Sequence, residues 1–269
     1  MTDLLKRDFA PITDRAWNEI DEQAKRVIER NLCGRRLVDV SGPHGWQHGA
    51  VDLGRIHIAD EAAKFGVQWG TRELLPLIEL RVPFVLSRIE LDHTSRGCKD
   101  PDLDPVQHAA EQIARFEDSA IFDGFAAGHI KGITETSTQK AVALPKNAAA
   151  YPDAVSVAVK QVAMIGIGGP LSLVLGPDEY FALAAAHNEG FPPRKIIEEM
   201  TGGKILMCPA LVGGVLLSTR GGDFELTVGQ DLAVGYHHHD REKIEFFLTE
   251  SFTFRTLEPA AAVQLKRPK

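Results

Sequence analysis

The chain has only three cysteines among 269 residues, Cys33, Cys98 and Cys208, odd in number and widely spaced. That pattern excludes a disulfide framework and a cysteine-based zinc site, and it suits a reduced cytoplasm. No apolar run approaches the ~20 residues that a bilayer-spanning helix needs. The opening residues carry Asp3, Lys6, Arg7 and Asp8 without a long apolar stretch, so no secretory leader is expected there. Basic excess is missing as well. Thirty Lys and Arg face 37 Asp and Glu, a net charge of −7, which argues against sequence-independent binding of nucleic-acid phosphates. There is no His-Glu-x-x-His and no Gly-x-Ser-x-Gly. What remains is a chain with 44% hydrophobic residues, enough apolar surface to offset backbone ordering and exclude disorder.

The first strong element is a helix over residues 13–33, with Thr13 as cap and Gly34 as stop. Trp17, Ile20, Ala24, Val27, Ile28 and Leu32 recur on one face. Such a stripe packs on a core, or in part receives a peptide. Residues 51–58 and 65–75 read as two extended runs joined by a polar reversal, with Gly54 at a bulge. As a free-standing hairpin they would be marginal in water and open at both edges, which implies a partner chain. The alternative is an ordinary sheet folded back on its own domain.

Residues 76–92 read as one long strand whose phase shifts at Ile89, with Pro83 disfavouring a central place. Asp104 and Pro105 open a spine helix that runs to about Ala127, roughly 33 Å at 1.5 Å per residue. After Gly132 short helices and strands alternate quickly among many glycines, as in a compact α/β insertion. The tail returns to strands at 224–228 and 243–257, expected to pair with 76–92 and make the framework discontinuous in sequence.

Three constellations invite chemistry. Gly166-Ile167-Gly168-Gly169-Pro170 follows a helix and precedes a strand, the reverse of a phosphate loop, and reads as a turn. Glu90-Leu91-Asp92-His93 has the spacing of carboxylate-bridged iron sites, but it occurs once and at a strand end, where that spacing does not converge. His237-His238-His239-Asp240 is the obvious metal suspect. Neither strand nor helix aims three consecutive imidazoles at one ion, so it reads as a polar loop, and no metal site is expected. Nothing pairs a nucleophile with a base, and the absence points to a structural or binding role.

Blocks of sequence spanning nearly the whole chain resemble the encapsulin shell proteins, a family also labelled linocin-type bacteriocin. The resemblance is carried by residues 5–13 with Trp17 and Asp21, by 34–40, and by Gly42-Pro43-His44-Gly45-Trp46. It continues through 76–81, 116–118, 220–224, 229–232 and Glu250-Ser251-Phe252-Thr253-Phe254. It implies an α+β fold like that of tailed-phage major capsid proteins, with a peripheral domain, an axial domain and an extended loop. Mapped in order, residues 1–46 hold the N-terminal helix and the start of the peripheral domain, 47–75 the extended loop, 76–131 the peripheral domain with its spine helix, 132–222 the axial domain, and 223–269 the last peripheral strands.

The resemblance further implies a homo-oligomeric icosahedral shell in the cytoplasm, of 60 copies or a multiple, and not an enzyme. Such a shell encloses a dye-decolourising peroxidase or a ferritin-like iron-storage protein recruited through a C-terminal targeting peptide. The docking groove it implies maps to Ile28, Leu32, Arg35 and Asp39 with Val234 and Tyr236, and a five-fold pore loop to His187, Asn188 and Glu189. No cofactor is expected, because Ile89 stands where some members stack a flavin on tryptophan. Two other readings are a metal-dependent hydrolase using the histidine run and a phage capsid subunit. The acidic balance argues against the second.

Overall fold

The computed structural model describes residues 4–60, 63–187 and 191–267. Helix α1 (Asp14–Asn31) starts where Thr13 accepts a hydrogen bond from Ala16 N–H at 3.3 Å, leaving one fewer unpaired amide at the helix start. A 3-10 turn then leads to the short β1 (Asp39–Ser41). Strands β2 (Ala50–Ile58) and β3 (Gly70–Pro76) pair with each other and with no other strand among the described residues, so the two-stranded arm stands as a hairpin. Its second strand begins at Gly70 and not at Phe65, which lies fully exposed in a 3-10 turn. Gly54, at φ 69°, sits where the register slips between Asp52 and Ile56.

Strand β4 (Ile78–Ser87) is shorter than the expected run to residue 92. The phase break at Ile89 is its end: Arg88–Arg96 forms helix α2, closed by Gly97 in the left-handed region at φ 102°. Glu90 and His93 therefore face each other on a helix, 3.4 Å apart, and not at a strand end. The spine helix α3 (Asp104–Phe122) carries Pro105 in its first turn. It stops five residues before the expected Ala127, because Gly124 turns left-handed at φ 91° and a Cβ there would meet Gly132 N at 2.7 Å. At 1.5 Å per residue α3 is about 28 Å long.

The insertion follows: α4 (Ile133–Thr136), β5 (Val142–Ala143), α5 (Tyr151–Met164), β6 (Leu171–Leu175), α6 (Pro177–Ala185), α7 (Pro193–Thr201), β7 (Gly202–Met207) and β8 (Gly214–Ser218). The last strands are β9 (Phe224–Val228), β10 (Ala233–His239), β11 (Lys243–Thr256) and β12 (Ala262–Lys266).

Among the described residues these strands make two larger sheets. One runs β1-β9-β11-β10, with β4 on the other edge of β11, where an edge strand tolerates Pro83. The other runs β5-β12-β8-β6-β7. The C-terminal β12 thus lies in the insertion's sheet, antiparallel to β8, and residues 262–266 do not join the framework sheet as the sequence suggested. Strands β6 and β8 lie inside this sheet, and every residue of both is buried, Ser172 and Ser218 included.

Two cores result. One gathers α1, the first half of α3 and the β4–β11–β10 face, with Trp17 edge-on to Phe246 at 5.4 Å. The other gathers the insertion sheet with α5 and the far end of β11. Helix α3 feeds Val106 to Ile113 into the first core and Ala120 to Phe122 into the second, so it is the member that couples them.

Candidate functional site

A groove of about 570 Å³ runs between α1 and the start of β10. Helical spacing puts Asp21, Lys25, Ile28 and Leu32 on one wall, beside the buried stripe of Ala16, Trp17, Ile20, Ala24 and Val27. Val234, Ala233 and Leu248 supply the floor from the sheet. The rim is charged. Arg7 forks onto Asp21 at 3.1 and 2.6 Å and lies over the Trp17 ring at 3.9 Å, which ties the N-terminal segment back onto α1. Leu5 O accepts a hydrogen bond from Tyr236 N at 2.8 Å, so that segment also lies on the free edge of β10.

Arg35 closes one end. Its guanidinium donates to Glu117 at 2.7 to 2.9 Å and to Asp231 at 2.8 Å, and it also reaches Glu250. Glu117 and Glu250 are fully buried, while Asp231 is half exposed. Burial on its own would lower the Arg35 pKa, but the hydrogen bond and charge of Glu117, with Glu250 and Asp231, raise it, so the cation persists. Burial, then the neighbouring Glu117, push Glu250 well above the usual carboxyl range. Glu250 Oε2 has no hydrogen-bond partner among the described residues. Arg35 thus faces three carboxyl groups, two of them fully buried.

Asp118, the next residue on α3, accepts from Cys33 N–H at 3.0 Å and Gly34 N–H at 2.7 Å, with Cys208 donating from the insertion side. Burial pushes its pKa up to about 7 against those amide hydrogen bonds. Asp118 and Arg35 together bind the end of α1 to the spine helix. Gly34 is needed in that joint, because a Cβ would meet Ile121 at 2.6 Å.

The groove brings together Ile28, Leu32, Arg35 and Val234 of the expected residues, but not the other two. Asp39 begins β1, beside Glu225 of β9, and accepts from Gly222 N–H; it lines a different, smaller cavity with Leu37 and Ser218. Tyr236 is turned into the core beneath the groove, its hydroxyl 2.6 Å from His239 Nδ1. Val234 and Tyr236 share the inward face of β10, but Val234 sits opposite Leu248 in the groove, while Tyr236 lies further along, opposite Phe246. His187 is exposed just after α6, while Asn188 and Glu189 lie outside the described residues. Ile89 is on α2 and exposed.

Sequence reasoning missed Arg7, Asp21, Lys25 and Asp231. Asp21 and Lys25 were findable by stepping seven residues back from Ile28 and Leu32. Glu117 and Glu250 carried no signal, because only folding brings positions 35, 117 and 250 together. The histidine run is strand and not loop: His237 to His239 end β10.

Solved structures share this architecture. A virus-like particle from Pyrococcus furiosus matches over 92% of this chain and 98% of its own, with a TM-score of 0.65 and 15% identity. The capsid of an empty GTA particle matches over 87% and 89%, with a TM-score of 0.57 and 17% identity. Identities this low show the fold alone, and the fold is that of phage-type capsid proteins, α+β with the arm standing apart.

Sequence comparison carries the assignment further. The family model Linocin_M18, described as an encapsulating protein for peroxidase, matches residues 1–253. A type 1 encapsulin shell protein of Mycolicibacterium paratuberculosis is 42% identical over 261 residues, covering 97% of this chain and 98% of that protein. The chain belongs to this family, the type 1 encapsulin shell proteins, whose role is structural and not catalytic. The hydrolase and phage-subunit readings end here.

Proposed function

We propose that this chain assembles into a closed icosahedral shell in the cytoplasm, and that the groove between α1 and β10 is where an enclosed enzyme docks by a short C-terminal peptide. The groove is the observation that carries the second half. Its walls at Ile28, Leu32 and Val234 are apolar, and its rims present Arg7–Asp21 on one side and Arg35–Asp231 on the other. An apolar trough between paired charges suits an amphipathic segment of a few residues. The family description names a peroxidase as cargo, and a ferritin-like iron protein is the other candidate.

The arm supports assembly. Ile56, Ile58, Phe65, Val67 and Trp69 are all more than half exposed along one hairpin that no other strand among the described residues pairs with. A lone monomer would leave that surface in water.

Docking is tested by Ile28→Asp. Ile28 is only half-buried on the groove wall, so a carboxylate there is compatible with folding; Val234 is 2% exposed and its replacement would damage the core instead. Ile28→Asp shells purified from the native host are expected to form and to lack cargo by mass spectrometry. Cargo at the wild-type level in those shells would place docking elsewhere.

A further inference from the structure

The turn between β10 and β11 holds an arrangement that the shell role does not use. Tyr236 pairs with Phe246 across the hairpin, but the next pair is His238 with Glu245, so His237 is an extra residue in β10. Regular alternation would send His237 outward and His238 inward behind Tyr236. The bulge sends both outward, with side chains 63% and 58% exposed. Glu245 points the same way, between buried Ile244 and Phe246.

The three side chains converge. His237 Nδ1 lies 3.2 Å and His238 Nδ1 3.1 Å from the same oxygen of Glu245. One donor atom from each lies within 4.8 Å of the others. Ligands bound to one zinc ion at ~2.0–2.1 Å in tetrahedral geometry stand about 3.3 Å apart, so the spacing is already close to that of a coordination shell. The turn beneath is fixed, since Asp240 Oδ1 accepts from both Glu242 N–H and Lys243 N–H at 2.7 Å. The sequence argument against three consecutive imidazoles holds for His239, whose Nδ1 is 2.6 Å from the Tyr236 hydroxyl. It fails for the other two because of the bulge.

We propose that His237, His238 and Glu245 form a surface binding site for one divalent transition-metal cation of the zinc class. Two imidazoles and a carboxylate select borderline cations such as Zn²⁺ over Ca²⁺ or Mg²⁺, which prefer all-oxygen shells. Water completes the coordination. The site is contained in one hairpin of one chain and needs no second subunit.

The test is calorimetric titration of Zn²⁺ alone into the purified full-length protein in its native assembly. The expected result is saturation near one Zn²⁺ per chain. Losing an outer-sphere partner already costs about 10–100-fold in metal affinity, so loss of a direct ligand in His237→Ala, His238→Ala or Glu245→Gln should weaken binding at least tenfold. All three positions are at least 40% exposed, so these variants should keep the wild-type fold. His239→Ala is expected to bind within about twofold of wild type. The proposal is overturned by the absence of saturable binding, by tight binding that survives the His237 and His238 substitutions, or by an equal loss in His239→Ala.

Discussion

Replacing Arg35 by Ala tests whether the end of the groove is held by charge. In the native protein its guanidinium is the only cation hydrogen-bonded to two fully buried carboxyls, Glu117 and Glu250, among the described residues. The substitution strands two buried carboxyls, Glu250 and Glu117, the latter forked by Arg35 at 2.7 to 2.9 Å. Removing one member of a buried pair costs about 3–5 kcal/mol. With a urea m-value near 3 kcal/mol/M, the midpoint should fall by about 1–2 M. Trp17 is buried beside Arg7 and Phe246 and serves as the fluorescent reporter. Assemblies can unfold irreversibly, so variant and wild type need identical incubation times. The loss should shrink near pH 4, where a carboxyl left without its cation can take up a proton. Arg35→Lys should recover part of it, since a point charge replaces the planar fork. A midpoint unchanged at pH 7, or one lowered equally at both pH values, would refute the electrostatic argument and leave only packing.

Two further outcomes follow from the same physics. Asp118, with a folded pKa of about 7 against an unfolded 3.8, holds a proton in the native state that the unfolded state gives up between those values. Stability should therefore fall as pH rises through that window, by about 4 kcal/mol at 1.36 kcal/mol per unit, and the difference between wild type and Asp118→Asn should follow it; a pH-independent difference between the two unfolding curves would contradict the assignment. Along the arm, Ile56→Thr with Ile58→Thr keeps strand propensity and removes exposed apolar surface, so circular dichroism should match wild type while assemblies dissociate at lower urea concentration. Unchanged dissociation in sedimentation would show that the arm's apolar face makes no contact between subunits.

Much of the fold was readable because local signals agree with the final packing. The stripe from Trp17 to Leu32 buries the side that its spacing marks, and Pro105 opens the spine helix as its residue type predicts. The readings failed where a backbone device overrides the pattern. Gly124 stops the spine early, and the turn into α2 ends a strand that alternation seemed to extend. The bulge at His237 converts an expected polar loop into strand with two outward imidazoles. Short β1 and β5 left little trace, because two or three residues carry too little period to distinguish strand from coil.

The groove shows the same division. Ile28, Leu32, Arg35 and Val234 converge as expected, since three lie at or just beyond the end of one helix and the fourth on a late strand packed against it. Asp39 and Tyr236 fall away because a 3-10 turn redirects the chain after Arg36 and Tyr236 packs further along β10, against Phe246. The Arg35–Glu117–Glu250 cluster joins residues up to 215 positions apart, and nothing local in the chain announces it.

Sedimentation velocity on the purified full-length chain at physiological salt, with negative-stain imaging of the same sample, bears most directly on the central claim. The account predicts one fast, narrow boundary and hollow closed particles. A slow boundary of monomers or dimers across the accessible concentration range would contradict it.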